Sequence, residues 1–224
     1  MDNNIKNWDD IYSANKAGCF MNYPNDNFVT LFFQNKKHIN TSGKCLDYGF
    51  GSANNSEFLL QHMGELFGIE ISKSCLEIAN KRLSKFTNYH PDNFFIDGDN
   101  KCFNGCFDLV VAWQMLYYND KAGLNSSIDK LFNYLKVNGI LICTLITPKD
   151  VKVKHSTMVD KDTYLIDKRI PHQEGCMVFS PKTDKDFIKL FARFEIVDHG
   201  YYERASFLFE NTTSEYYLVA KKHD

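Results

Sequence analysis

The sequence predicts an α/β fold, with one mostly parallel sheet of seven strands, helices on both faces and an antiparallel strand pair at the end. Three observations carry this. Short apolar runs alternate with segments of helical period, the pattern of a parallel sheet whose crossovers are helices. The run "GILICTLI" is apolar at every position, as strands covered on both faces are. The last two runs, "FEIVDHGYYE" and "EYYLVAKK", have no helix between them, which fits a hairpin.

The elements follow in order. Ile5, Trp8, Ile11 and Tyr12 share one helical face. Pro24 opens a helix over 25–37, striped by Phe28, Leu31 and Phe32. "KCLDYG" reads as a short buried strand, and Asn54 to His62 as a helix. "ELFGIEI" is the second strand, and Ser72 caps the helix that follows. "NFFI" and "FDLVVAW" are the third and fourth strands, and 120–136 is helical. After "GILICTLI", residues 148–180 show no clear period. Asp184 to Phe191 reads as a helix before the closing strands.

With 224 residues and 44% hydrophobic content, the chain suits a single domain over 1–224 with a sizeable core. Residues 1–40 read as a helical cap, and 148–180 as an insertion for substrate recognition. The net charge of −2, with lysines spread along the chain, argues against a nucleic-acid partner. No stretch is long and apolar enough to span a membrane, and the acidic, polar "MDNNIKNWDD" is unlike a signal peptide. Seven scattered cysteines fit reduced thiols and a cytoplasmic setting better than a disulfide framework. Cys102 and Cys106 lack a second ligand pair at metal-binding spacing, so no metal site is expected.

"CLDYGFGSANNSEFLL" carries the functional signal. In open α/β sheets ligands sit beyond the carboxyl ends of the strands, where this loop falls. Gly49 and Gly51 permit close backbone approach. A dinucleotide fingerprint needs a third glycine where Asn54 stands, and Asp47 would repel a pyrophosphate. A carboxylate there suits a ligand bearing a cation. S-adenosylmethionine has an ammonium and a sulfonium and no phosphate. Glu70, ending the second strand, is placed to accept ribose hydroxyls. In "DGDN", Asp99 can accept the adenine amino group and Asn100 can reach a ring nitrogen. The fourth strand ends beneath the ligand at Trp113 and Gln114.

In this order of motifs the sequence resembles the class I S-adenosylmethionine-dependent methyltransferases: "LDYGFGSA", "GIEIS", "DGDN", "FDLVVAWQMLYY", "LKVNGILICTLI". The resemblance covers 40–148 strongly and the terminal hairpin weakly. It implies a Rossmann-like seven-stranded methyltransferase sheet and S-adenosylmethionine as cofactor. Asp47, Gly49, Gly51, Glu70 and Asp99 would hold that cofactor, with Tyr12, Asn54, Ile71, Asn100 and Trp113 beside them. Ala53 stands where many members have a third glycine.

The segment "NWDDIYSANKAGCFMNYPNDNF" looks like the start of small methyltransferases acting on sugars and other surface-carbohydrate precursors. That likeness implies a small-molecule acceptor, a role in capsule or polysaccharide synthesis, and a monomer or homodimer. An amino sugar, another small metabolite, a protein or an RNA is the alternative acceptor. "WQMLYY" lacks the Asn/Asp-Pro-Pro-aromatic stretch of many amino-methylating relatives. Tyr23, Tyr118, His155, Arg169 and Glu174 are the substrate-binding candidates, and the polar and cationic residues at 152–174, Lys152 among them, fit a phosphorylated or nucleotide-linked acceptor. For removing an acceptor proton the candidates are His172, between Arg169 and Glu174 in "RIPHQEG", and Tyr117. Tyr117 and Tyr118 stand where many relatives have histidine.

Overall fold

The computed structural model describes residues 2–14, 20–98, 103–206 and 211–223, with side chains from Asn7 onward. Helix α1 (Asp2–Ser13) leads into α2 (Asp26–Gln34), which starts one residue later than expected and stops three earlier. Asn25 is the reason for the start: its side chain accepts from the amides of Asn27 and Phe28 and caps the helix.

The main sheet contains β1 (Lys44–Tyr48), β2 (Glu65–Glu70), β3 (Phe94–Ile96), β4 (Phe107–Ala112) and β5 (Leu135–Ile146) in parallel. Helices α3 (Asn54–His62), α4 (Lys73–Leu83) and α5 (Lys121–Tyr134) make the crossovers. Helix α7 (Asp184–Leu190) precedes β9 (Phe194–Ser206) and β10 (Asn211–Lys222). The order is β3-β2-β1-β4-β5-β10-β9. The closing pair is antiparallel, and β10 is inserted between β5 and β9, antiparallel to both. The fold class expected from the sequence therefore holds.

Each sheet face carries its own apolar cluster. Phe28 and Phe32 of α2, Leu59 of α3 and Leu83 of α4 pack on Leu109, Val111 and Ile142. Leu124 and Leu131 of α5, with Phe187 of α7, pack on Val110, Leu141 and Leu218 on the other face. Residues Ile140–Ile146 are all buried, which accounts for their unbroken apolar run.

Residues 148–180, which show no clear period in the sequence, form short elements. A one-turn helix α6 (Val151–Lys154) is followed by a small antiparallel sheet, β6 (Ser156–Asp160), β7 (Thr163–Ile166) and β8 (Met177–Phe179), in that order. These strands have three to five residues, and β6 is largely exposed, so no buried face imposes a period on its sequence. The Phe179 amide donates to the Tyr117 carbonyl at 2.8 Å, which fixes this small sheet against the turn after β4.

Candidate active site

The strand order reverses between β1 and β4, and the ends of these strands build the site. After β1 the chain turns through Gly49 and Gly51, with φ of +77° and +51°. Both conformations favour glycine, and both positions are also tight. A Cβ on Gly49 would lie 2.7 Å from Cγ of Met115, and one on Gly51 would lie 2.7 Å from the Tyr12 hydroxyl. Ala53 takes the next left-handed position, φ +58°, at the N-cap of α3, where it makes no side-chain capping bond. Its methyl is fully buried, so the small residue expected there is accommodated with some backbone strain.

Asp47 lies in the middle of the sheet, opposite Gly68 of β2 and Val111 of β4. It is buried, and Ser56 Oγ donates to its Oδ2 at 2.6 Å. Burial pushes its carboxyl up to about 7, with the Ser56 bond acting against that and nearby Glu70 adding to it. An acid in this state lacks a cation, and an amino-acid ammonium would supply one.

Glu70 ends β2 and folds back over the loop. Its Oε2 accepts from the Ser72 amide at 3.0 Å and from that of Ile71, and its Oε1 from the Gly51 amide at 3.3 Å. Burial raises its carboxyl, and these three amides oppose the rise. Oε1 is held by one long bond, so it has capacity for a ribose hydroxyl. Glu70→Ala is expected to weaken cofactor binding by roughly 1.5 to 3 kcal/mol, the scale for hydrogen bonds to a charged group. Calorimetric titration with S-adenosylhomocysteine measures this, and an unchanged affinity would leave Glu70 as a brace for the loop only.

Helix α1 roofs the site. Tyr12 has its hydroxyl over Gly51, and its ring is 6.1 Å from that of Trp8. Trp8 meets Tyr118 edge-on at 4.8 Å, and Tyr118 lies 4.5 Å from Tyr117. Asp9 anchors the roof by accepting from Ser72 Oγ at 2.8 Å and the Ser74 amide at 3.0 Å, at the start of α4. At its other edge Asn7 donates to the Glu174 carbonyl at 3.4 Å. Arg82 of α4 ties the chain before α2 to the glycine loop, donating to the carbonyls of Met21 (2.6 Å), Asn22 (2.7 Å) and Ser52 (3.2 Å). Sequence reading missed this arginine, because nothing marks one cation among several in an amphipathic helix.

Next to Tyr117, polar groups converge from three segments. Gln114, after β4, has φ +57° and directs its amide nitrogen at both carboxylate oxygens of Glu215, at 3.0 and 3.1 Å. Glu215 stands near the start of β10, opposite Ile146 at the end of β5, and is buried. Asp150, fully buried, caps α6 and accepts from the Ser214 amide at 2.9 Å. Lys152 sits 3.5 Å from Asp150 and 5.5 Å from the centre of the Tyr117 ring. Burial pushes Glu215 up to about 7, against Lys152 and Gln114.

The remaining sequence candidates fall as follows. Asn54 donates to the Tyr23 carbonyl at 3.0 Å, and Ile71 follows Glu70 with its amide on that carboxylate. Tyr23 is 80% exposed and meets the loop through its backbone, so its ring forms no wall of the pocket. Trp113 is buried against Phe28, and its indole N–H finds no partner among the described residues. Asp99 and Asn100 lie outside the described residues. Tyr117 is buried, and burial holds its phenol proton far more tightly than usual, which makes it a poor base. Tyr118 donates to Gln173 at 2.9 Å, and burial pushes its phenol up to about 12. His155 is partly buried, with Nδ1 unpartnered among the described residues.

The arrangement expected around His172 is not the one found. Arg169 is exposed and bonded to Asp167, two residues away on the same turn, so a local carboxylate already occupies its fork. His172 and Glu174 are both exposed, His172 with φ +66°, and no hydrogen bond joins them among the described residues.

A left-handed glycine loop, a buried acid awaiting a cation and a second acid able to bind a diol fit an S-adenosyl cofactor. Fold and site together define a class I S-adenosylmethionine-dependent methyltransferase. The sequence matches the family model described as a methyltransferase domain over residues 20–194, and the chain belongs to that family. A search of curated proteins found no match to the sequence. Among solved structures, an S-adenosylmethionine-dependent methyltransferase from Methanosarcina mazei is similar, at 16% identity and TM-score 0.67, covering 84% of this chain and 96% of that one. One from Clostridium acetobutylicum covers 100% of this chain and 99% of its own, at 15% identity and TM-score 0.65. The N-methyltransferase NodS from Bradyrhizobium japonicum, in complex with S-adenosylhomocysteine, is 14% identical, with 89% of each chain covered and TM-score 0.58. The protein is an enzyme, and its cofactor is S-adenosylmethionine.

Proposed function

We propose that the enzyme methylates a small polar metabolite, with the oxygen of a sugar or sugar precursor for a surface polysaccharide as the leading acceptor. The observation that carries the size class is the enclosure of the site. The α1 roof spans from Gly51 to Tyr118, and the β6–β8 sheet is bonded to the turn beneath it, so the acceptor side is covered from two directions. A phosphorylated or nucleotide-linked acceptor draws less support than the sequence suggested, because Arg169 is committed to Asp167. A second reading, an amine acceptor such as an amino sugar, is favoured by the buried acid at Glu215.

The bound cofactor supplies an electrophilic methyl on a sulfonium. The residues of this chain hold and align. Asp47 faces the amino-acid end, Glu70 the ribose, and Tyr12 closes the loop from above. Trp8 and Tyr118 exclude water from the acceptor side. Residues 1–40 act as the cap and 148–180 as the acceptor-recognition segment of one catalytic domain. We place the enzyme in the cytoplasm, in keeping with the five free cysteines among the described residues. No helix among those residues is long and apolar enough to cross a membrane.

S-adenosylhomocysteine at a hundred times its dissociation constant is expected to stabilise the fold by about 2.7 kcal/mol. For a chain of this size that raises the melting temperature by about 5 to 10 °C. NAD and CTP should leave it unchanged, and a shift with NAD alone would overturn the cofactor assignment. Mass-spectrometric screening of sugar nucleotides, free sugars and amino sugars then reads out the acceptor. A product methylated on protein or RNA would remove the small-molecule reading.

A further inference from the structure

Beside the site lies a buried acid that the proposed cofactor contacts do not use. Glu215 is buried at the carboxyl edge of the sheet, beside Ile146 at the end of β5, and Gln114 after β4 reaches it across that strand end. Two consecutive side chains, Gln114 and Met115, link it to the glycine loop. Met115 lies where a Cβ of Gly49 would be, and Gln114, the preceding residue, grips the carboxylate with its amide. Gln114 takes a left-handed backbone to do so, and Thr144 Oγ1 of β5 fixes that backbone by accepting its N–H at 2.9 Å. A strained, non-glycine turn held by a neighbouring strand is how functional side chains are commonly aimed.

We propose that Glu215 is the general base of the methyl transfer, oriented by Gln114 and taking the proton from the acceptor's hydroxyl or ammonium. This rests on the reading of the chain as a small-molecule methyltransferase. In the step, the acceptor's proton passes to a Glu215 oxygen, from a hydroxyl as it attacks or from an ammonium beforehand, the freed electron pair forms the bond to the methyl carbon, and the sulfur–carbon bond breaks with its electron pair left on sulfur. Solvent then takes that proton. The groups facing Glu215 set its ionisation. Gln114 after β4 and Lys152 of α6 favour the carboxylate, while burial and Asp150 before α6 oppose it. The phenols of Tyr117 and Tyr202 feel the same charge. The balance leaves Glu215 at about 7, suited to accepting a proton near neutral pH.

A base at Glu215 has an effect on cofactor binding that needs no acceptor. A base that serves an acceptor aligned with a sulfonium stands within roughly 7 Å of that cation. S-adenosylmethionine carries the sulfonium and S-adenosylhomocysteine does not, whereas both carry the ammonium that faces Asp47. Ionised Glu215 therefore favours the first over the second, and Asp47 affects both alike. At an effective dielectric of about 20 to 40, such a pair changes relative affinity by roughly tenfold or more.

The experiment is calorimetric titration of the wild-type enzyme and Glu215→Gln with each nucleoside, from about pH 5.5 to about pH 8.5, the range that brackets an acid near neutrality. The preference for S-adenosylmethionine should rise about tenfold with pH in the wild type. In Glu215→Gln it should stay low and flat, with S-adenosylhomocysteine affinity retained. Glu215→Asp, which keeps the charge, should retain a pH-dependent preference. A pH-independent preference in the wild type overturns the proposal, whatever the variants do. Equal weakening of both nucleosides in Glu215→Gln also overturns it and leaves the acid as a brace. If neither nucleoside binds the wild type, it is the cofactor assignment that fails.

Discussion

Asp47→Asn is expected to stabilise the ligand-free enzyme above about pH 7 while weakening its hold on the cofactor by roughly 1.5 to 3 kcal/mol. The carboxyl of Asp47 is raised from 3.8 to about 7 in the fold, by burial first, so the native state binds its proton more tightly than the unfolded chain does. Stability from this group is complete below about pH 4 and is lost as pH rises toward 7. A shift of that size corresponds to at most about 4 kcal/mol. Glu215, raised by burial to about 7, acts in the same direction. The ligand-free wild type should therefore unfold more easily at pH 7.5 than at about pH 5. Saturating S-adenosylhomocysteine should flatten that dependence, because its ammonium gives Asp47 the opposite charge it lacks. In Asp47→Asn, Ser56 still has an oxygen to donate to, and only the share of the pH dependence due to Glu215 and Glu70, both raised by burial, should remain. Urea unfolding across pH, with and without ligand, measures all of this. A ligand-free wild type as stable at pH 7.5 as at pH 5 would show that water or a rearranged neighbour already satisfies the acid.

Asp47 was legible in the sequence because its surroundings are local. An apolar run, an acid and two glycines within seven residues describe a strand end and the turn beyond it, and the structure places both there. The alternation of strands and helices gave the sheet for the same reason, since each crossover is a contiguous unit. Glu215 was not legible. "SEYYLVAKK" reads as an ordinary strand with one charge near its start. Its meaning comes from β10 running antiparallel into the sheet beside β5, which carries residue 215 to the edge where the parallel strands end. A charged residue opening an otherwise apolar closing strand was the available signal. Lys152 reads as one polar residue of an aperiodic segment; Asp150 is its neighbour in sequence, but Tyr117 is brought to it only by the packing of α6 against the turn after β4. His172 drew attention through its neighbours in sequence. In the fold the nearest charges neutralise each other, Arg169 turning to Asp167 rather than to an acceptor.

Gly49→Ala is expected to damage both fold and site, for two separable reasons. Its φ of +77° disfavours any side chain, at a cost of about 1 to 2 kcal/mol. Its new Cβ would also lie 2.7 and 2.8 Å from Cγ and Cβ of Met115, atoms close to the backbone that have little room to yield. Overpacking of this kind typically costs about 1 to 3 kcal/mol more. A fall in melting temperature of about 5 to 15 °C follows for a chain of this size. Gly175 provides the control. Its φ is +78°, and a Cβ there would meet nothing within 4 Å. Gly175→Ala should therefore show the backbone cost alone. The difference between the two variants isolates the contact with Met115. That contact joins the cofactor loop to Gln114 and so to Glu215, and any shift of Met115 should disturb both halves of the site. Gly49→Ala should accordingly lose cofactor affinity by about tenfold or more, on the scale of one charged hydrogen bond, while Gly175→Ala retains it. Equal melting temperatures in the two variants would mean that Met115 moves aside freely and that the two halves of the site are not coupled through it.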